Sequence, residues 1–393
     1  MPKLATFTKP FFIVLIATLL HTCIAKSYNV VDFGAKANGK TDSSPAFMKA
    51  WAAACSSNED STVLVPSGTF MSNSVSFNGT CKKEMRLQIL GNIVAPSYES
   101  LSDHQVWIGF YFVSRLSIIG GTIDAKGSSY WSCKRSKKDC PYGARSIALQ
   151  SCKHVLVSGL KSFNSEGVHL HLNGCNNVTM QNLTLTAPGD SPNTDGIHIG
   201  NSDLVRVLHS TIGTGDDCIS IGPGSTNMWV DNVAYGPGHG ISIGSIGGTP
   251  KEAGVEHIVV NNSVFTDTDN GVRIKSWAKP SDAYVKDIKF ENLRMQNVAN
   301  PIIIDQEYCP ARNCSKASSG VKISDVKFNN ITGTSSTVEA LILDCSLTNP
   351  CEKITLQNIN LVYADKMKKV TTPATSRCQN AQVIKAGVVN PSC

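Results

Sequence analysis

The chain has 393 residues, of which 41% are hydrophobic and 17% are charged, and its formal net charge is +6. Glycine, asparagine, serine and valine are abundant while long helical patterns are scarce, which favours a well-buried, β-rich protein. The lysines form no tract of the kind that binds nucleic acid. No linker or low-complexity run divides the interior, so we predict one elongated domain, although the length alone would allow two or three.

The first 25 residues have the pattern of an export signal. Lys3 and Lys9 precede an apolar run from Phe11 to Leu20, and the segment from Thr22 to Ala25 supplies a cleavage site. The apolar run is too short to span a bilayer, and no second run of spanning length follows it. We therefore expect residues 1–25 to be a signal peptide and residues 26–393 to form a secreted domain without membrane contact.

Glycosylation sequons and cysteines both agree with export. The sequons begin at Asn78, Asn177, Asn182, Asn261, Asn313 and Asn330. Of the 14 cysteines, Cys23 lies in the signal, so 13 remain and at least one thiol must be free.

Sequence spacing suggests how most of the cysteines pair, although sequence alone does not fix connectivity. The close pairs are Cys309/Cys314, Cys345/Cys351 and Cys378/Cys393, with Cys55/Cys81 and Cys133/Cys140 as further candidates. This leaves Cys152, Cys175 and Cys218. Cys218 adjoins two acidic residues, but we favour structural burial over a catalytic thiol.

One clear helical pattern lies near the mature N-terminus. It runs from about Ser43 to Ala54, with Asp42, Ser43 or Ser44 as its N-cap. From about Ala148 onward, short apolar strands broken by Asn, Gly and Asp recur every 22 to 30 residues. Two-residue turn signals are largely missing, which argues against hairpins. The pattern predicts an all-β fold, a right-handed parallel β-helix whose open end the N-terminal helix caps. The motifs typical of a β-propeller or a leucine-rich horseshoe are absent.

A short pattern repeats at a fixed spacing within this β-helix. The segments TDGIHIG, DDCISIG and GHGISIG place Asp195, Asp217 and His239 at intervals of 22 residues, each ahead of an Ile-x-Ile strand. DNGVRIK repeats the shape with Asn270 in the corresponding place. Because one turn of the helix, here called a rung, stacks directly on the next about 4.8 Å away, these polar residues should lie side by side.

The isoleucine pairs of the same segments should stack in the interior. Strict alternation would send the preceding acids to that buried side, where unpaired charges are unfavourable. The strands must therefore begin after the acids, at a bend that glycine permits at Gly196, Gly240 and Gly271. His198 shares the outward phase of Arg273 and Lys275, and a strand position explains it adequately. With Asp216 beside Asp217, the outward face would carry three carboxylates, the imidazole of His239 and two cations.

Such a face suits glycoside hydrolysis. Clustered carboxyl groups raise one another's pKa, so that one can stay protonated as a general acid while another activates water or attacks directly. Arg273 and Lys275 supply what a sugar carboxylate needs. A Ca²⁺ or Mg²⁺ site is the rival use of these acids, and the two nearby cations argue against it.

The segments SPNTDGIHI, GTGDDCISI, GPGHGISIGSIG and GVRIK, in this order and spacing, resemble the four motifs of the polygalacturonase family of glycoside hydrolases. NVVDFGAKANGKTDSSPAF, VLVPSGTF and GGTIDAKG resemble the N-terminal half of its plant members. The resemblance covers essentially the whole mature chain. It implies a parallel β-helix that hydrolyses α-1,4-galacturonosyl bonds of pectin with inversion, without metal or cofactor.

The resemblance also implies roles for particular residues. Asp216 resembles the general acid, and Asp195 and Asp217 resemble the pair that holds the water. His239 would support protonation of the acid or bind substrate. Substrate binding would fall to Arg273, Lys275, Tyr308 in QEYCP and Asn193 in SPNTDG. The expected setting is the plant cell wall, with a monomer acting on homogalacturonan.

One departure from the family pattern concerns Cys218. Many plant members carry a cysteine immediately before GPGHG, which resembles the partner of Cys218, whereas this chain has Tyr235 there. Its loss would leave Cys218 unpaired and accounts for the odd cysteine count.

The sequence indicates the type of reaction more strongly than it indicates whether the enzyme cuts chain ends or chain interiors. GDDCISIGPGS and the basic character resemble exo-acting, pollen-type members, with an endo enzyme as the alternative. The step from His239 to Arg273 is longer than the others and predicts an inserted loop near Gly247 to Gly254 that could wall the cleft. Further alternatives are a non-catalytic pectin-binding β-helix, a hydrolase of rhamnose- or xylose-substituted backbones, and a Ca²⁺-dependent pectate lyase.

Overall fold

In the computed structural model, the described residues are 25–101, 105–136, 139–310, 314, 318–365 and 370–393. The predicted signal segment, apart from Ala25, and the sequon at Asn313 lie outside them. Among the described residues, no helix is both long enough and apolar enough to cross a membrane. The helical segments are the 3-10 helix η1 (Val30–Phe33) and the α-helices α1 (Ser44–Cys55), α2 (Tyr98–Leu101) and α3 (Ser128–Arg135).

Short strands make up most of the chain. The first twelve are β1 (Lys26–Asn29), β2 (Asn38–Asp42), β3 (Ser61–Val65), β4 (Thr69–Met71), β5 (Val75–Asn78), β6 (Met85–Ile89), β7 (Asn92–Val94), β8 (Val106–Tyr111), β9 (Ser114–Ile119), β10 (Thr122–Asp124), β11 (Arg145–Gln150) and β12 (Lys153–Ser158). The next twelve are β13 (Lys161–Phe163), β14 (Leu170–Asn173), β15 (Asn176–Gln181), β16 (Thr184–Thr186), β17 (Ile197–Gly200), β18 (Asp203–Leu208), β19 (Thr211–Gly213), β20 (Ile219–Ile221), β21 (Thr226–Asp231), β22 (Ala234–Tyr235), β23 (Ile241–Ile246) and β24 (Val255–Asn261). The last ten are β25 (Val264–Thr266), β26 (Asn270–Trp277), β27 (Tyr284–Val298), β28 (Asn300–Tyr308), β29 (Lys322–Ser335), β30 (Glu339–Asp344), β31 (Cys351–Asp365), β32 (Val370–Pro373), β33 (Thr375–Gln379) and β34 (Ala381–Asn390).

These strands wind into a right-handed parallel β-helix, as predicted. One face is a sheet of 11 parallel strands, called here the site sheet, in the order β33-β30-β28-β26-β23-β20-β17-β14-β11-β8-β5. The other two faces are rows of parallel strands. One row runs up to β24 and the other up to β25, and because both of these strands pair with the long strand β27, the two rows form a single 23-stranded sheet. Within the described residues the pairing of β31 with β32 is antiparallel, whereas the strands of the β-helix itself pair in parallel.

The core is a stack of equivalent apolar residues from successive rungs. On the site sheet, Ile197, Ile219, Ile241 and Val272 are register partners in turn. All four are at most 1% exposed, and a second stack from Ile199 lies beside them. Each rung therefore buries side chains against the rungs on both sides, which confirms the predicted isoleucine stacks.

Helix α1 covers the N-terminal end of this core. Its face buries Phe47 and Trp51, which are both 3% exposed. The Trp51 ring lies 4.7 Å from that of Phe77 and its Nε1 donates to the carbonyl of Asn78. Asp42 accepts a hydrogen bond from the amide of Ser44 at 2.9 Å, which supports the first turn. The predicted capping helix is confirmed, shifted by one residue at each end.

The rungs turn where asparagines adopt the left-handed backbone conformation. Asn232, Asn262, Asn292 and Asn330 have φ between 49° and 56°, a region that asparagine tolerates better than most residues. Their side chains also bridge rungs: Asn330 Nδ2 donates to Asn292 Oδ1 at 2.8 Å. The asparagines that punctuate the sequence therefore set the corners and connect them.

The described cysteines form the five predicted disulfides. They are Cys55–Cys81, Cys133–Cys140, Cys309–Cys314, Cys345–Cys351 and Cys378–Cys393. Cys152, Cys175 and Cys218 are free thiols, and all three are buried. Burial raises the pKa of Cys218 to about 12, so this thiol is inert rather than nucleophilic.

Candidate active site

The site sheet places the polar residues of the repeat at the bends that precede its strands. β17, β20 and β23 begin at Ile197, Ile219 and Ile241, two residues after Asp195, Asp217 and His239. Because those three isoleucines are register partners, the residues ahead of them lie on three successive rungs. Asn270 is at the start of β26 on the fourth, where it is buried and donates to the carbonyl of His239 at 3.3 Å.

The glycines that follow these polar residues, Gly196, Gly240 and Gly271, differ in backbone conformation and packing. Gly240 has a φ of +70°, so it provides the bend that we predicted. Gly196 and Gly271 do not have a positive φ. A Cβ on Gly196 would lie 2.3 Å from Cγ2 of Ile212, and one on Gly271 would lie 2.4 Å from the carbonyl oxygen of Pro301. Gly196 nevertheless lies at a bend immediately ahead of β17, as predicted, whereas Gly271 lies inside β26, so the predicted bend at Gly271 is wrong. At both positions close packing excludes a side chain.

Asp217 lies in the centre of the cluster and is almost completely buried. Its Oδ1 accepts hydrogen bonds from Ser242 Oγ and Arg273 Nη2, both at 2.8 Å. Its Oδ2 accepts one from Lys275 Nζ at 2.7 Å. Burial of this carboxylate is tolerable because two cations and a hydroxyl satisfy it.

Lys275 departs from the expected open arrangement. We predicted that Arg273 and Lys275 would both stand exposed on the outward face, but the Lys275 side chain is only 8% exposed and that of Arg273 13%. Each donates one hydrogen bond to Asp217 and retains other donors. The ring of Tyr308 lies 5.1 Å from Lys275 Nζ and 5.9 Å from Arg273 Cζ, so Tyr308 belongs to the same site.

Asp195 is joined to His198 through Ser220, an outward-facing strand residue to which the sequence assigned no role. Ser220 Oγ donates to Asp195 Oδ2 at 2.7 Å and lies 2.7 Å from His198 Nδ1. The ring of His198 stacks on that of His171 at 5.2 Å. Burial lowers the pKa of His198, with nearby Arg145 adding to the effect, so this imidazole is neutral. His198 therefore does more than fill an outward strand position.

Asp216 and His239 form a second pair at the mouth of the site. His239 Nδ1 lies 3.0 Å from Asp216 Oδ1, and Asn193 Nδ2 donates to Asp216 Oδ2 at 3.3 Å. On its other side, His239 Nε2 lies 3.5 Å from Asp269. The sequence did not point to Asp269. In its rung the residue that corresponds to Asp195 and Asp217 is Asn270, which is not acidic, and Asp269 lies one position before it.

Asp195, Asp216 and His239 all have shifted pKa values. Burial, reinforced by the charges of Asp216 and Asp217, raises the pKa of Asp195 to about 8. Burial also acts to raise the pKa of Asp216, but the hydrogen bond and charge of His239 outweigh it and the net pKa is lowered. The hydrogen bond to Asp216 raises the pKa of His239. These shifts favour the protonated form of Asp195 and the pairing of a protonated His239 with an ionised Asp216.

Asp216, Asp217 and His239 could together offer a metal ion three ligand atoms within 4.8 Å of one another. Both oxygens of Asp217 already accept hydrogen bonds from cationic side chains. A divalent cation would lie beside Arg273 and Lys275 and would have to displace them. The donor set therefore fits a metal poorly.

Two sequence predictions concern the surroundings of the site. The loop from Gly247 to Gly254 is held by hydrogen bonds from Ser281 and Asp282 to its carbonyls at 2.9 and 2.8 Å. It lies beside Trp277, whose ring contacts that of Tyr308 at 5.1 Å.

Tyr235 is buried, and its ring stacks on that of Phe265 at 4.5 Å. It lies close to Cys218, so an aromatic ring occupies the space beside this free thiol.

The chain is similar to known proteins over most of its length. A family model described as glycosyl hydrolases family 28 matches residues 55–385. A polygalacturonase from Prunus persica is 44% identical over 380 residues, covering 95% of both chains. An exopolygalacturonase from Platanus acerifolia is 42% identical over 370 residues, covering 93% of this chain and 97% of its own. An exopolygalacturonase from Thermotoga maritima has the same fold, with a TM-score of 0.74 at 18% identity over 92% of both chains. The chain belongs to family 28 of the glycosyl hydrolases and is a glycoside hydrolase.

Proposed function

We propose that this protein is a secreted, exo-acting polygalacturonase that hydrolyses α-1,4-galacturonosyl bonds of pectin with inversion at the anomeric carbon. The observation that carries the proposal is the cluster itself: Asp195 and the Asp216–Asp217 pair occupy successive rungs, next to two cations that keep unused donors. Two carboxyl groups can perform acid–base hydrolysis, and the remaining donors of Arg273 and Lys275 suit a substrate that carries a carboxylate.

The roles follow from accessibility. Asp216 lies at the mouth, with 21% of its side chain exposed, and can reach the leaving oxygen. Asp195 and Asp217 lie on adjacent rungs and would hold the attacking water between them. His239 positions Asp216 and supplies positive charge beside it. Arg273, Lys275, Tyr308 and Asn193 would contact the substrate.

A general acid must carry a proton, and the opposite pKa shifts of the two groups favour a proton on Asp195 over one on Asp216. Substrate binding excludes water from Asp216 and brings a galacturonate carboxylate nearby, and both changes raise the pKa of a carboxyl group. We infer that the cluster shares one proton, which moves to Asp216 as substrate binds and leaves Asp195 ionised to act on water.

Exo action and export have separate support. The Platanus relative is named an exopolygalacturonase, and residues of helix α3 line a cavity together with Arg145 of the site sheet, on the N-terminal side of Asp216. Five disulfides support an oxidising, extracellular setting.

Sizing the products released from de-esterified polygalacturonate, with and without chelator, tests the proposal. We expect monomer from the earliest time points and no effect of the chelator. Early release of mixed oligomers would make the enzyme endo-acting. Products with a new double bond would identify a lyase. Asp216→Asn should lower the rate of reducing-end release by about 10²- to 10⁴-fold, and equal activity would exclude Asp216 as the acid.

A further inference from the structure

A pocket of about 330 Å³ lies on the N-terminal side of Asp216, between α3 and the site sheet. Small ligands bind in pockets of roughly this size and above, about 300–1,000 Å³. The side chains that could recognise a ligand there are Tyr130, Lys134, Tyr142, Arg145, Glu166 and Asn193. We call this cavity the end pocket.

The end pocket is continuous with the catalytic centre. Asn193 lines it and also donates to Asp216 at 3.3 Å. Leu170 pairs with Ile197 across adjacent rungs. Glu166 lies four residues before Leu170, just as Asn193 lies four residues before Ile197. Glu166 and Asn193 therefore occupy equivalent places on adjacent rungs, about 4.8 Å apart along the β-helix, and a sugar in the pocket could contact both.

Glu166 is a buried carboxyl group with an unused oxygen. It is 2% exposed; its Oε2 accepts a hydrogen bond from the amide of Ala144 at 2.9 Å, while Oε1 has no partner among the described residues. Leaving such an atom unpaired costs stability, which a ligand hydroxyl could recover. Burial, with nearby Glu99 adding to the effect, raises the pKa of Glu166 to about 7, so the group can donate as well as accept.

The pocket also carries unpaired positive charge. In the part of the chain that the structure describes, neither Lys134 nor Arg145 forms a salt bridge, although both line the pocket. Arg145 lies close enough to His171 and His198 to lower the pKa of both imidazoles. These two cations face the cavity that also contains Glu166, so a ligand with both a carboxylate and hydroxyl groups would satisfy all three side chains.

Helix α3 gives the pocket a fixed wall. Tyr130 and Trp131 on α3 are buried against Ala187, and Arg135 forms a salt bridge with Asp190 at 3.3 Å. A disulfide joins Cys133 of the helix to Cys140. The wall stands on the N-terminal side of the acids, where an extended polymer would otherwise run on along the site sheet.

We propose that the end pocket binds the terminal galacturonate residue of the polymer, with its carboxylate on Arg145 and Lys134 and a hydroxyl on Glu166. This inference rests on the proposed function and explains exo action, because a chain whose end is held in this pocket places its terminal bond at Asp216.

The test compares trigalacturonate with two trisaccharides in which the carboxyl group of one or the other end residue is reduced to an alcohol. Wild-type enzyme should hydrolyse one of these two with a kcat/KM at least about tenfold lower than trigalacturonate, the effect of one charged hydrogen bond. Arg145→Gln should lower kcat/KM for trigalacturonate about tenfold and abolish this discrimination. The matched control Arg206→Gln, on the exposed side of β18, should behave as wild type.

Glu166→Gln keeps the shape of the side chain and should raise KM about tenfold with little change in kcat or melting temperature. Wild-type enzyme that hydrolyses trigalacturonate and both reduced analogues equally would overturn the end pocket and leave the proposed function intact. Equal losses in Arg145→Gln on every substrate, or an unchanged KM in Glu166→Gln, would also overturn it. Wild-type enzyme inactive on every galacturonan would instead overturn the proposed function.

Discussion

The Nδ1 atom of His239 lies 3.0 Å from Oδ1 of Asp216, and the backbone amide of His239 donates to the carbonyl of the same aspartate at 2.8 Å. The two residues are thus held together through both main chain and side chain. Because His239 follows one rung after Asp216, the β-helix itself sets this geometry. The charge of His239 is then coupled to the state of the proposed acid.

Replacement of His239 by Asn should change the pH dependence of hydrolysis. The hydrogen bond to Asp216 raises the pKa of His239, so the wild-type cation persists above the ordinary titration range and is lost as pH rises through the raised value. We expect kcat/KM to fall about 10²-fold and the alkaline limb assigned to His239 to vanish from pH–rate profiles. His257→Asn, which removes an exposed partner of Asp287 at 2.6 Å, should leave the profile unchanged. A loss that is equal at all pH values would contradict the coupling.

Replacement of Asp195 by Asn should stabilise the fold at neutral to mildly alkaline pH. The pKa of Asp195 is raised from an ordinary 3.8 to about 8, chiefly by burial. Between these values the folded state binds a proton that the unfolded state has released, so wild-type stability falls as pH rises from about 4 to about 8. Asn cannot titrate, and the melting temperature of the variant should exceed that of wild type at pH 8 and match it more closely at pH 4.

Asp203→Asn is the control for this prediction because its shift has the opposite sign. Hydrogen bonds, first from Asn227, lower the pKa of Asp203, so its contribution is present above its ordinary pKa and is lost in acid. The variant should therefore be less stable than wild type at neutral pH. If the melting temperatures of Asp195→Asn and wild type change in parallel from pH 4 to 8, the pKa of Asp195 is not raised by folding.

The sequence predicted the parts of the site that depend on register. Equal spacing of Asp195, Asp217 and His239 places them on adjacent rungs whatever the details of packing, because parallel strands repeat at a fixed separation. The isoleucine stacks and α1 were predictable for the same reason, since a repeating core and its cap leave a periodic apolar pattern. The buried positions of Asp217 and Lys275 were not, because they depend on how long side chains fold back across rungs.

Helix α3 and the end pocket left no comparable signal. The segment Ser128–Arg135 has few apolar residues, and its buried Tyr130 and Trp131 are adjacent rather than spaced along a helical face. Glu166 stands four residues before β14 as Asn193 does before β17, but its rung lacks the Asp-Gly motif that drew attention to the later ones. The register of β11 and β14 brings Glu166 beside Ala144, next to Arg145, and packing of α3 over these rungs adds Tyr130 and Lys134 to the cavity.

Trp51→Ala should destabilise the whole β-helix while sparing the site. The Trp51 side chain is 3% exposed and contacts Phe77 and Phe110 at the N-terminal end of the core. Removing a buried aromatic side chain costs about 3–5 kcal/mol, which denaturant unfolding would measure. Met48→Ala on the exposed side of α1 should cost far less. Specific activity at low temperature should stay near that of wild type in both, and a stable Trp51→Ala protein would show that α1 is not needed to cap the core.

Lys275→Met should destabilise the protein because it leaves Asp217 buried with one cation fewer. Lys275 Nζ lies 2.7 Å from Asp217 Oδ2, and both side chains are less than a tenth exposed. Removing one partner of a buried pair costs about 3 kcal/mol or more, although Arg273 still contacts Oδ1 and reduces that cost. The double variant Lys275→Met/Asp217→Asn removes the uncompensated charge and should recover part of the loss. Lys286→Met, which breaks an exposed pair with Glu256 at 2.8 Å, should change the unfolding midpoint little. If the double variant is less stable than Lys275→Met alone, the cost arises from lost packing of the lysine chain rather than from the charge of Asp217.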